Sequence, residues 1–359
     1  MTRIKVIHIA ECIGGVDRFL CCLLKYANHD EFENILILSK LYEGKGYEKL
    51  ADKVEITDIP HSMDADAFKA AMRIRKRIKK HNPDIVVSHS SIAGAITRMA
   101  CVGLKCKVIY NPHGWSFNME SNKKNTFIKL ERLMSHFCDK IVCISDAEKE
   151  SALREKICKE ERLQVIYNGI DLDEQVRGVV DLPNDKFIVG MVGRICKQKA
   201  PDVFVKMAKE VKKEIDNAYF VIVGDVLEGK EQERIEIENL AKDFEVDLLI
   251  TGWVDNPLDY VAMFDVGCLL SRWEGFGLVI PEYMSLGIPI VASRVDAIPH
   301  LIKDGVTGYL VEKDDWKAAA KRVLEAKDNK KLADNEKKEV MRFDARRVSR
   351  EYESLFRKI

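Results

Sequence analysis

Residues 271–282 read Ser-Arg-Trp-Glu-Gly-Phe-Gly-Leu-Val-Ile-Pro-Glu, and they hold the groups best suited to chemistry. Gly275 and Gly277 lack Cβ atoms, so the backbone can turn sharply there and a ligand can approach the main chain. A helix is predicted to follow the turn, which leaves the amides of residues 276–278 unpaired at the positive end of the helix dipole. Such an arrangement binds anions, phosphate groups among them.

Two carboxylates flank this predicted anion site, Glu274 before the helix and Glu282 inside it. A phosphate repels a carboxylate unless the carboxylate faces a neutral donor, and sugar hydroxyls are such donors. An anion site between two hydroxyl acceptors therefore favours a pocket for a nucleotide sugar. The pattern leaves one alternative open, a glycine-rich strand-to-helix turn with two solvated glutamates.

Apolar strand-like runs alternate with helical periods along the chain, which is typical of parallel α/β sheets. The polar segment 168–186 between the two groups of strands is interpreted as a linker. We predict an α/β protein of two doubly wound Rossmann-like domains that face a central cleft and bind ligands at the carboxyl ends of their strands. The predicted strands are Lys5–Ala10, Asn34–Ser39, Lys53–Ile59, Asp84–Ser88, Lys107–Asn111, Lys140–Ile144, Leu163–Tyr167, Phe187–Val192, Tyr219–Gly224, Leu248–Gly252, Asp265–Leu270, Pro289–Ser293 and Gly308–Val311.

Composition excludes several classes of protein. Lysine plus arginine and aspartate plus glutamate both total 58 in 359 residues, so no global charge favours nucleic acid or membrane. The ten cysteines form no C-x-x-C pair and are interpreted as reduced core thiols of a cytosolic protein. No apolar run approaches the roughly 20 residues that span a bilayer. We expect a cytoplasmic protein that lies, at most, on the inner face of the cytoplasmic membrane.

Further candidates follow other predicted strands. His113 lies between a proline and a glycine on a loop expected at the cleft, where a histidine on exposed backbone favours a functional role. The alternative is a structural histidine, as most lone histidines are. Arg194 and Lys199 follow a strand that ends at Gly193, and two cations there can neutralise a leaving diphosphate. The alternative for the lysine is simple exposure to solvent.

Two further loops offer backbone groups. Gly14 and Gly15 enter the first helix, where the main chain can approach phosphate or sugar, although a plain turn explains the pair equally well. Residues 251–255, which include Val254, follow another predicted strand and can read the edge of a base.

Two amphipathic stretches are candidate lipid surfaces. Residues 68–80 carry seven lysines and arginines beside an apolar helical stripe, and such a helix can lie on anionic lipid. A solvated helix that packs one face on the sheet is the favoured alternative. Residues 117–137 mix lysines with large apolar side chains, which fits an acceptor-side or lipid-facing surface or a partly exposed core helix.

Taken together, these features resemble the retaining GT-B glycosyltransferases, specifically glycosyltransferase family 4 of bacterial polysaccharide and glycolipid assembly. The resemblance covers essentially the whole chain and is closer in the second half. Where the family commonly has Gly-Gly-x-Pro-Glu and Gly-Asp-Gly-Pro, this chain differs at residues 296–300 and 224–227, which bears on donor-sugar selectivity. The motifs that carry the resemblance are Glu-Gly-Phe-Gly-Leu-Val-x-x-Glu at 274–282, Gly193-Arg194 with Lys199, Tyr167–Asp171, Ser145, Gly287–Ala292 and Asp304–Val311.

The resemblance implies a retaining, metal-independent hexosyltransferase that uses a nucleotide-diphosphate sugar, most commonly a UDP-sugar, and no cofactor. It implies that Arg194 and Lys199 bind the donor diphosphate, and that Glu274 holds hydroxyls of the donor sugar. It also places His113 against the donor sugar and the reaction centre. The other residues that it assigns to donor binding are Gly15, Gly193, Val254, Phe276, Gly277, Leu278 and Glu282.

The resemblance also implies the domain roles and the partners. Residues 1–172 would form the acceptor-side domain and 173–340 the nucleotide-sugar domain, while a helix in 341–359 would cross back to the first. The acceptor would be a glycan, free or linked to a polyprenyl diphosphate at the cytoplasmic membrane, and no nucleic acid is expected. Two alternatives stay open: a nucleotide-sugar epimerase of the same fold, and a non-catalytic subunit that binds a nucleotide sugar.

Two Asp-x-Asp pairs match the metal-binding signature of the other glycosyltransferase fold. They are Asp64-x-Asp66, at the start of a predicted helix, and Asp171-x-Asp173, in the predicted linker. Both are interpreted as solvated. With cationic side chains at the diphosphate, the sequence predicts that no metal is needed.

Overall fold

The structure, a computed structural model, describes residues 2–11, 14–40, 46–60, 65–119, 122–178, 180–327 and 329–359. The chain forms two compact units, one of Met1–Asp171 with Phe343–Ile359 and one of Leu172–Arg342. Each of the strands predicted from sequence is present, with its ends displaced by no more than two residues. The predicted class, an α/β protein with two Rossmann-like sheets, is therefore confirmed.

Unit 1 is built on a seven-stranded parallel sheet. Its strands are β1 (Ile4–Ala10), β2 (Phe32–Ser39), β3 (Lys53–Thr57), β4 (Ile85–His89), β5 (Lys107–Asn111), β6 (Lys140–Cys143) and β7 (Leu163–Val165). They are ordered β3-β2-β1-β4-β5-β6-β7. The order reverses between β1 and β4, so their carboxyl ends form the switch point where open α/β sheets bind ligands.

Helices cover both faces of this sheet, which explains why β4 is buried along its whole length. The helices between its strands are α1 (Gly15–Lys25), α2 (Ala65–His81), α3 (Ser91–Cys101), α4 (Lys124–Ser135) and α5 (Asp146–Arg154). Short 3₁₀ turns lie at Tyr47–Lys49, Ser116–Asn118 and Glu160–Arg162. On α2, Ala67, Ala70, Ile74 and Ile78 are buried, so this helix packs its apolar stripe on the sheet.

Unit 2 is built on a six-stranded parallel sheet. Its strands are β8 (Phe187–Val192), β9 (Ala218–Val223), β10 (Leu248–Ile250), β11 (Val266–Leu269), β12 (Ile290–Ser293) and β13 (Tyr309–Val311). Their order is β10-β9-β8-β11-β12-β13, and the switch point lies between β8 and β11. Its helices are α6 (Pro201–Lys212), α7 (Glu231–Asp243), α8 (Pro257–Val261), α9 (Val279–Leu286), α10 (Ile298–Leu301), α11 (Trp316–Lys327) and α12 (Lys330–Glu339).

The last segment of the chain belongs to unit 1, not to the unit that precedes it in sequence. After a 3₁₀ turn at Val340–Phe343, helix α13 (Ala345–Lys358) is capped by Asp344, whose carboxylate accepts from the Arg346 amide at 2.9 Å. Ile170 and Asp344 form an isolated parallel bridge. The buried Tyr352 hydroxyl accepts a hydrogen bond of 2.6 Å from the Asn111 side chain at the end of β5.

Candidate active site

The loop after β8 places a lysine at the switch point of unit 2. Gly193 follows β8 with φ 153°, and a Cβ there would lie 3.3 Å from the Cδ and Cε atoms of Lys199. Ala200 takes a left-handed φ of 52° just before α6 begins, which turns the chain behind the lysine. A glycine at 193 is therefore needed both for the backbone conformation and for the lysine stem.

Lys199 and Glu274 form an ion pair at this edge of the sheet. The Lys199 Nζ lies 2.5 Å from the Glu274 Oε1, and the Ser271 hydroxyl donates to the same oxygen at 2.8 Å. Both charged side chains are largely buried. No described residue donates to the second carboxylate oxygen, Oε2. Glu274 thus faces a cation and a hydroxyl of the protein, a contact that the sequence did not indicate.

Backbone hydrogen bonds join the loops after β8 and β11. The Arg272 amide donates to the Gln198 carbonyl at 2.8 Å, and the Gln198 side chain donates to the Trp273 carbonyl at 3.1 Å. The Glu274 amide donates to the Asp296 carboxylate at 2.8 Å. Asp296 has φ 41° and belongs to the segment that departs from the usual family motif. These contacts fix the backbone that carries the Lys199–Glu274 pair.

Helix α9 begins at Val279, after the glycine turn. Gly277 has φ 88°, and a Cβ there would lie 2.8 Å from the Ile298 Cδ1 atom, so only glycine fits. Within the described part of the chain, the amides of Gly277 and Leu278 donate to no other group. Phe276 is buried, and Glu282 in the first turn of α9 is only 7% exposed. The turn therefore offers amides beside the ion pair.

Two other predicted donor-binding residues lie at the same edge of unit 2. Arg194 directly follows Gly193 and is half-buried, and among the described residues it has neither an ion pair nor a hydrogen bond. Val254 is half-buried on the loop after β10, beside Trp253, whose side chain is 61% exposed. Strand β10 is an edge strand, two strands away from β8.

His113 and Gly15 lie in unit 1, at the carboxyl edge of its own sheet. Gly15 is the first residue of α1, after Gly14 with φ 59°. His113 follows β5 with a left-handed φ of 52° and is half-buried, with its ring 4.8 Å from that of Phe19. The predicted residues thus fall into two groups, one at the carboxyl edge of the sheet in each unit.

Two histidines that the sequence analysis missed continue from His113 into the sheet of unit 1. The Nε2 atom of His113 lies 3.0 Å from the Nδ1 of His89, the last residue of β4. The Nε2 atom of His89 lies 3.1 Å from the Nδ1 of His8, inside β1. His8 and His89 are fully buried. A polar residue inside an otherwise apolar strand was the signal available in the sequence.

Burial keeps these three imidazoles neutral. It lowers the pKa of His113 to about 3, and it lowers the pKa of His89 well below its ordinary value. The pKa of His8 falls to about 4 because burial outweighs a hydrogen bond to Asn34.

Glu148 holds the loop that carries His113. Its Oε1 accepts from the Gly114 amide at 2.6 Å, and its Oε2 accepts from the Ile144 amide at 2.7 Å. The Trp115 indole donates to the Glu148 carbonyl at 2.9 Å. Burial raises the pKa of Glu148 to about 7, and the two backbone amides act in the opposite direction. Sequence patterns do not show the contacts of Glu148 with Gly114 and Trp115, because these residues are more than thirty positions away.

The expectation that both Asp-x-Asp pairs are solvated is wrong for Asp171. Its carboxylate pairs with Lys25 and accepts from the Tyr26 hydroxyl at 2.5 Å. Asp64 lies outside the described residues. Within the described ranges, no group of three or more His, Cys, Asp or Glu side chains has an arrangement that could hold a metal ion. No helix in those ranges is long and apolar enough to cross a membrane.

Family models match both halves of the chain. The model described as Glycosyltransferase Family 4 matches residues 13–174, and that of Glycosyl transferases group 1 matches residues 173–342. A Klebsiella pneumoniae protein described as "Uncharacterized 41.2 kDa protein in cps region" is 34% identical over 94% of this chain and 93% of its own. The Escherichia coli UDP-Gal:alpha-D-GlcNAc-diphosphoundecaprenol alpha-1,3-galactosyltransferase is 28% identical over 92% of this chain and 90% of its own.

A solved structure shows the same fold at lower identity. Anabaena Alr3699/HepE, crystallised in complex with UDP and glucose, matches with a TM-score of 0.85 and 17% identity. The match covers 99% of this chain and 100% of that one. The family models, the relatives and the strand order of both sheets agree, and the chain belongs to glycosyltransferase family 4, with the GT-B fold.

Proposed function

We propose that this protein is a retaining hexosyltransferase that moves a sugar from a UDP-sugar to a saccharide acceptor linked to a polyprenyl diphosphate, in polysaccharide biosynthesis. The observation that carries the proposal is the Lys199–Glu274 pair, held at 2.5 Å at the switch point of unit 2. Among the described residues, the nearby amides of Gly277 and Leu278 donate to no other group. A cation, a hydroxyl acceptor and backbone amides are the groups that a sugar diphosphate requires.

The proposed reaction breaks the bond between the sugar C1 and the β-phosphate oxygen. Negative charge grows on the leaving diphosphate in the transition state. Arg194, Lys199 and the amides of the glycine turn stabilise this charge more strongly in the transition state than in the ground state. The acceptor oxygen bonds to C1 on the same face, and its proton passes to the leaving phosphate oxygen. Retention of configuration follows from this same-face attack.

Glu274 and Glu282 are assigned to sugar hydroxyls. The Oε2 atom of Glu274, to which no described residue donates, can accept from a hydroxyl of the transferred sugar while Oε1 keeps its contact with Lys199. Glu282, inside the first turn of α9, would accept from the ribose hydroxyls. Since cationic side chains face the diphosphate, the reaction is proposed to need no metal.

The named relative supports the choice of substrates. The name of the Escherichia coli enzyme specifies UDP-galactose as donor and a GlcNAc-diphosphoundecaprenol as acceptor, and the similarity spans nearly the whole of both chains. We extend this chemistry to the present protein as a UDP-hexose donor and a lipid-linked saccharide acceptor.

A lipid-linked acceptor requires a protein that reaches the membrane surface, and α2 offers the better face of the two amphipathic stretches. Phe68 and Met72 lie one helical turn apart and are 66% and 55% exposed. Lys76 and Lys79 continue along the exposed side of this helix. Apolar anchors followed by lysines favour a peripheral contact with anionic lipid at the cytoplasmic membrane.

Donor incubation with and without acceptor tests the proposal. We expect UDP release from a UDP-hexose only when a GlcNAc-diphospho-lipid is present, an α-linked product by NMR, and the same rate in EDTA. Isomerisation of the donor without acceptor would indicate an epimerase instead. Saturable UDP-sugar binding without turnover would indicate a non-catalytic subunit, and an inverted anomeric centre would exclude the retaining mechanism.

A further inference from the structure

A row of three imidazoles in contact, here called the file, runs from the core of unit 1 to the carboxyl edge of its sheet and consists of His8, His89 and His113. Each contact has the same sense, from the Nε2 atom of one ring to the Nδ1 atom of the ring deeper in the protein. The rings of His8 and His89 are also stacked, with centroids 5.4 Å apart. Three elements contribute one ring each, so β1, β4 and the loop after β5 must all be in place.

The chemistry of neutral imidazole makes this file directional. A neutral ring has one donor nitrogen and one acceptor nitrogen, so fixing one contact fixes the next. All three rings are neutral because burial lowers the pKa of each. Two arrangements remain, one in which every Nε2 donates inward and one in which every Nδ1 donates outward.

Asn34, in β2, decides between these two arrangements. The Asn34 side chain raises the pKa of His8, which is the effect of an acceptor, and we therefore assign its amide oxygen to the side that faces His8. In agreement, the buried Nδ2 atom of Asn34 has no partner among the described residues. His8 must then donate through Nε2, because its Nδ1 faces His89. The Nε2 atoms of His89 and His113 donate inward in turn.

We propose that His8 and His89 are positioning residues that hold His113 as its Nε2–H tautomer, so that its Nδ1 is an acceptor aimed at a substrate hydroxyl. No described residue occupies that Nδ1 atom. The placement of His113 at the reacting sugar is what the family resemblance implies, and it rests on the proposed function. The tautomer and its cause rest on the geometry of unit 1 alone.

Imidazole nitrogen shifts test the tautomer without any assay of activity. In the full-length protein labelled with ¹⁵N-histidine, we expect the Nε2–H pattern for all three residues at neutral pH, assigned with single His→Gln variants. Addition of UDP-sugar should leave that pattern unchanged. A protonated Nδ1 on His89 or His113, or a charged ring at neutral pH, would overturn the inference.

Kinetics of two His89 variants test the positioning role. His89→Phe keeps the bulk but breaks the file, and kcat should fall on the order of 10- to 100-fold, with KM for the donor nearly unchanged, because the His113 ring that contacts the substrate hydroxyl is misplaced. His89→Gln can donate and accept, so it should restore most of the loss. Tyr110→Phe removes a buried hydroxyl from the neighbouring strand β5 and serves as the matched control.

The outcomes separate this inference from the proposed function. If His89→Phe is as active as Tyr110→Phe while the wild type transfers sugar, the positioning role is wrong and the function stands. If the wild type transfers no sugar from any donor, the proposed function fails, and the nitrogen shifts still decide the tautomer. Unfolding midpoints of the variants show whether a loss of rate reflects a loss of structure.

Discussion

Lys199 illustrates how a charged residue is prepared before its ligand arrives. With its stem against Gly193 and its ammonium on Glu274, it cannot relax into solvent as an ordinary loop lysine does. In the proposed reaction, a diphosphate that enters beside this pair meets a lysine whose side chain is already ordered. The role proposed for Lys199 is therefore preorganised electrostatic stabilisation of the leaving group.

Lys199→Ala should therefore lower kcat for transfer by about 10²–10³, the loss measured when one preorganised contact to developing charge is removed. Glu274→Gln should lower kcat as well, since the amide loses the ion pair that aims the lysine. UDP release under saturating donor and acceptor measures both effects.

Lys197→Ala is the matched control for these two variants. Its side chain is exposed on the same loop, two residues before Lys199, and its removal changes the charge equally. If Lys197→Ala loses as much rate as Lys199→Ala, the effect is one of net charge, and the assigned role of Lys199 is wrong.

Glu336 makes the stability of unit 2 depend on pH. It is fully buried in α12, where neither carboxyl oxygen has a hydrogen bond of normal geometry among the described residues. Burial raises its pKa from 4.5 to about 8, and the Ile290 amide only partly opposes this. The folded state therefore holds a proton that the unfolded state releases near pH 4.5. Stability is full below that pH and falls as pH rises to about 8.

We expect the free energy of unfolding to fall on the order of 1.4 kcal/mol per pH unit across this window. Glu336→Gln carries no ionisable group and should remove most of the slope. Thermal unfolding of wild type and variant at pH 6 and pH 9 measures the difference. Parallel pH dependences in the two proteins would mean that Glu336 ionises freely in the folded state.

Local motifs explain which site residues the sequence could predict. Some site residues lie within short motifs whose local conformation can be predicted from the sequence, namely Gly193, Lys199, Gly277 and Glu274. His8 and His89 do not, because each is a single polar residue in an apolar strand, and only sheet order shows that β1 and β4 are neighbours. The contact between Lys199 and Glu274, 75 residues apart, also depends on strand order.

Helix α4 is held to unit 1 by a buried ion pair. Arg98 on α3 lies 2.9 Å from Glu131 on α4, and the Tyr110 hydroxyl donates to the other oxygen of that carboxylate at 3.0 Å. The guanidinium also lies over the Tyr110 ring, 3.8 Å from its centroid. Leu133 and Phe137, at the far end of this helical segment, are exposed. The pair thus fixes a helix whose outer face is partly apolar.

Glu131→Ala should destabilise unit 1 by about 3–5 kcal/mol, because it leaves the Arg98 charge buried without a partner. Replacing both partners, as Arg98→Met with Glu131→Leu, should cost much less for the same reason. Denaturant unfolding of the single and double variants gives the comparison. A double variant no more stable than Glu131→Ala would show that packing, not the uncompensated charge, dominates.

Helix α2 should bind anionic vesicles through its exposed face. Phe68→Ala with Met72→Ala removes the apolar anchors, while Lys76→Glu with Lys79→Glu reverses two charges, each lysine contributing roughly 1 kcal/mol near such a surface. Both pairs should weaken co-sedimentation with vesicles rich in anionic lipid, and the charge effect should fade at high salt. Lys317→Glu with Lys321→Glu on α11 is the charge-matched control.

If the α11 control weakens vesicle binding as much as the α2 pair, the membrane surface lies elsewhere. The sequence predicted α2 and its basic face well, because helical periodicity is a local property. It could not show that Phe68 and Met72 stay uncovered, since exposure depends on which elements pack nearby. Strand positions were equally predictable, because each strand of a parallel sheet is a continuous apolar run.

At the scale of the whole molecule, the chain passes from unit 1 to unit 2 at Leu172 and returns at Phe343. Helix α13 then completes unit 1, where Tyr352 and Phe356 pack with Phe19 beside the residues that follow β4 and β5. The last residues of the chain therefore pack in the same unit as its first residues. Unit 2, from Leu172 to Arg342, is continuous in sequence.

A chain that ends at Arg342 should therefore lose stability in unit 1 and leave unit 2 nearly intact. In unit 1 it exposes the apolar surface that α13 covers and leaves the Asn111 side chain without its Tyr352 partner. Calorimetry should show one transition moved to lower temperature and one unchanged.

Saturating UDP-sugar, at about 100 times its Kd, should stabilise the unchanged transition by about 2.7 kcal/mol. A uniform fall of both transitions would mean that the two units unfold as one.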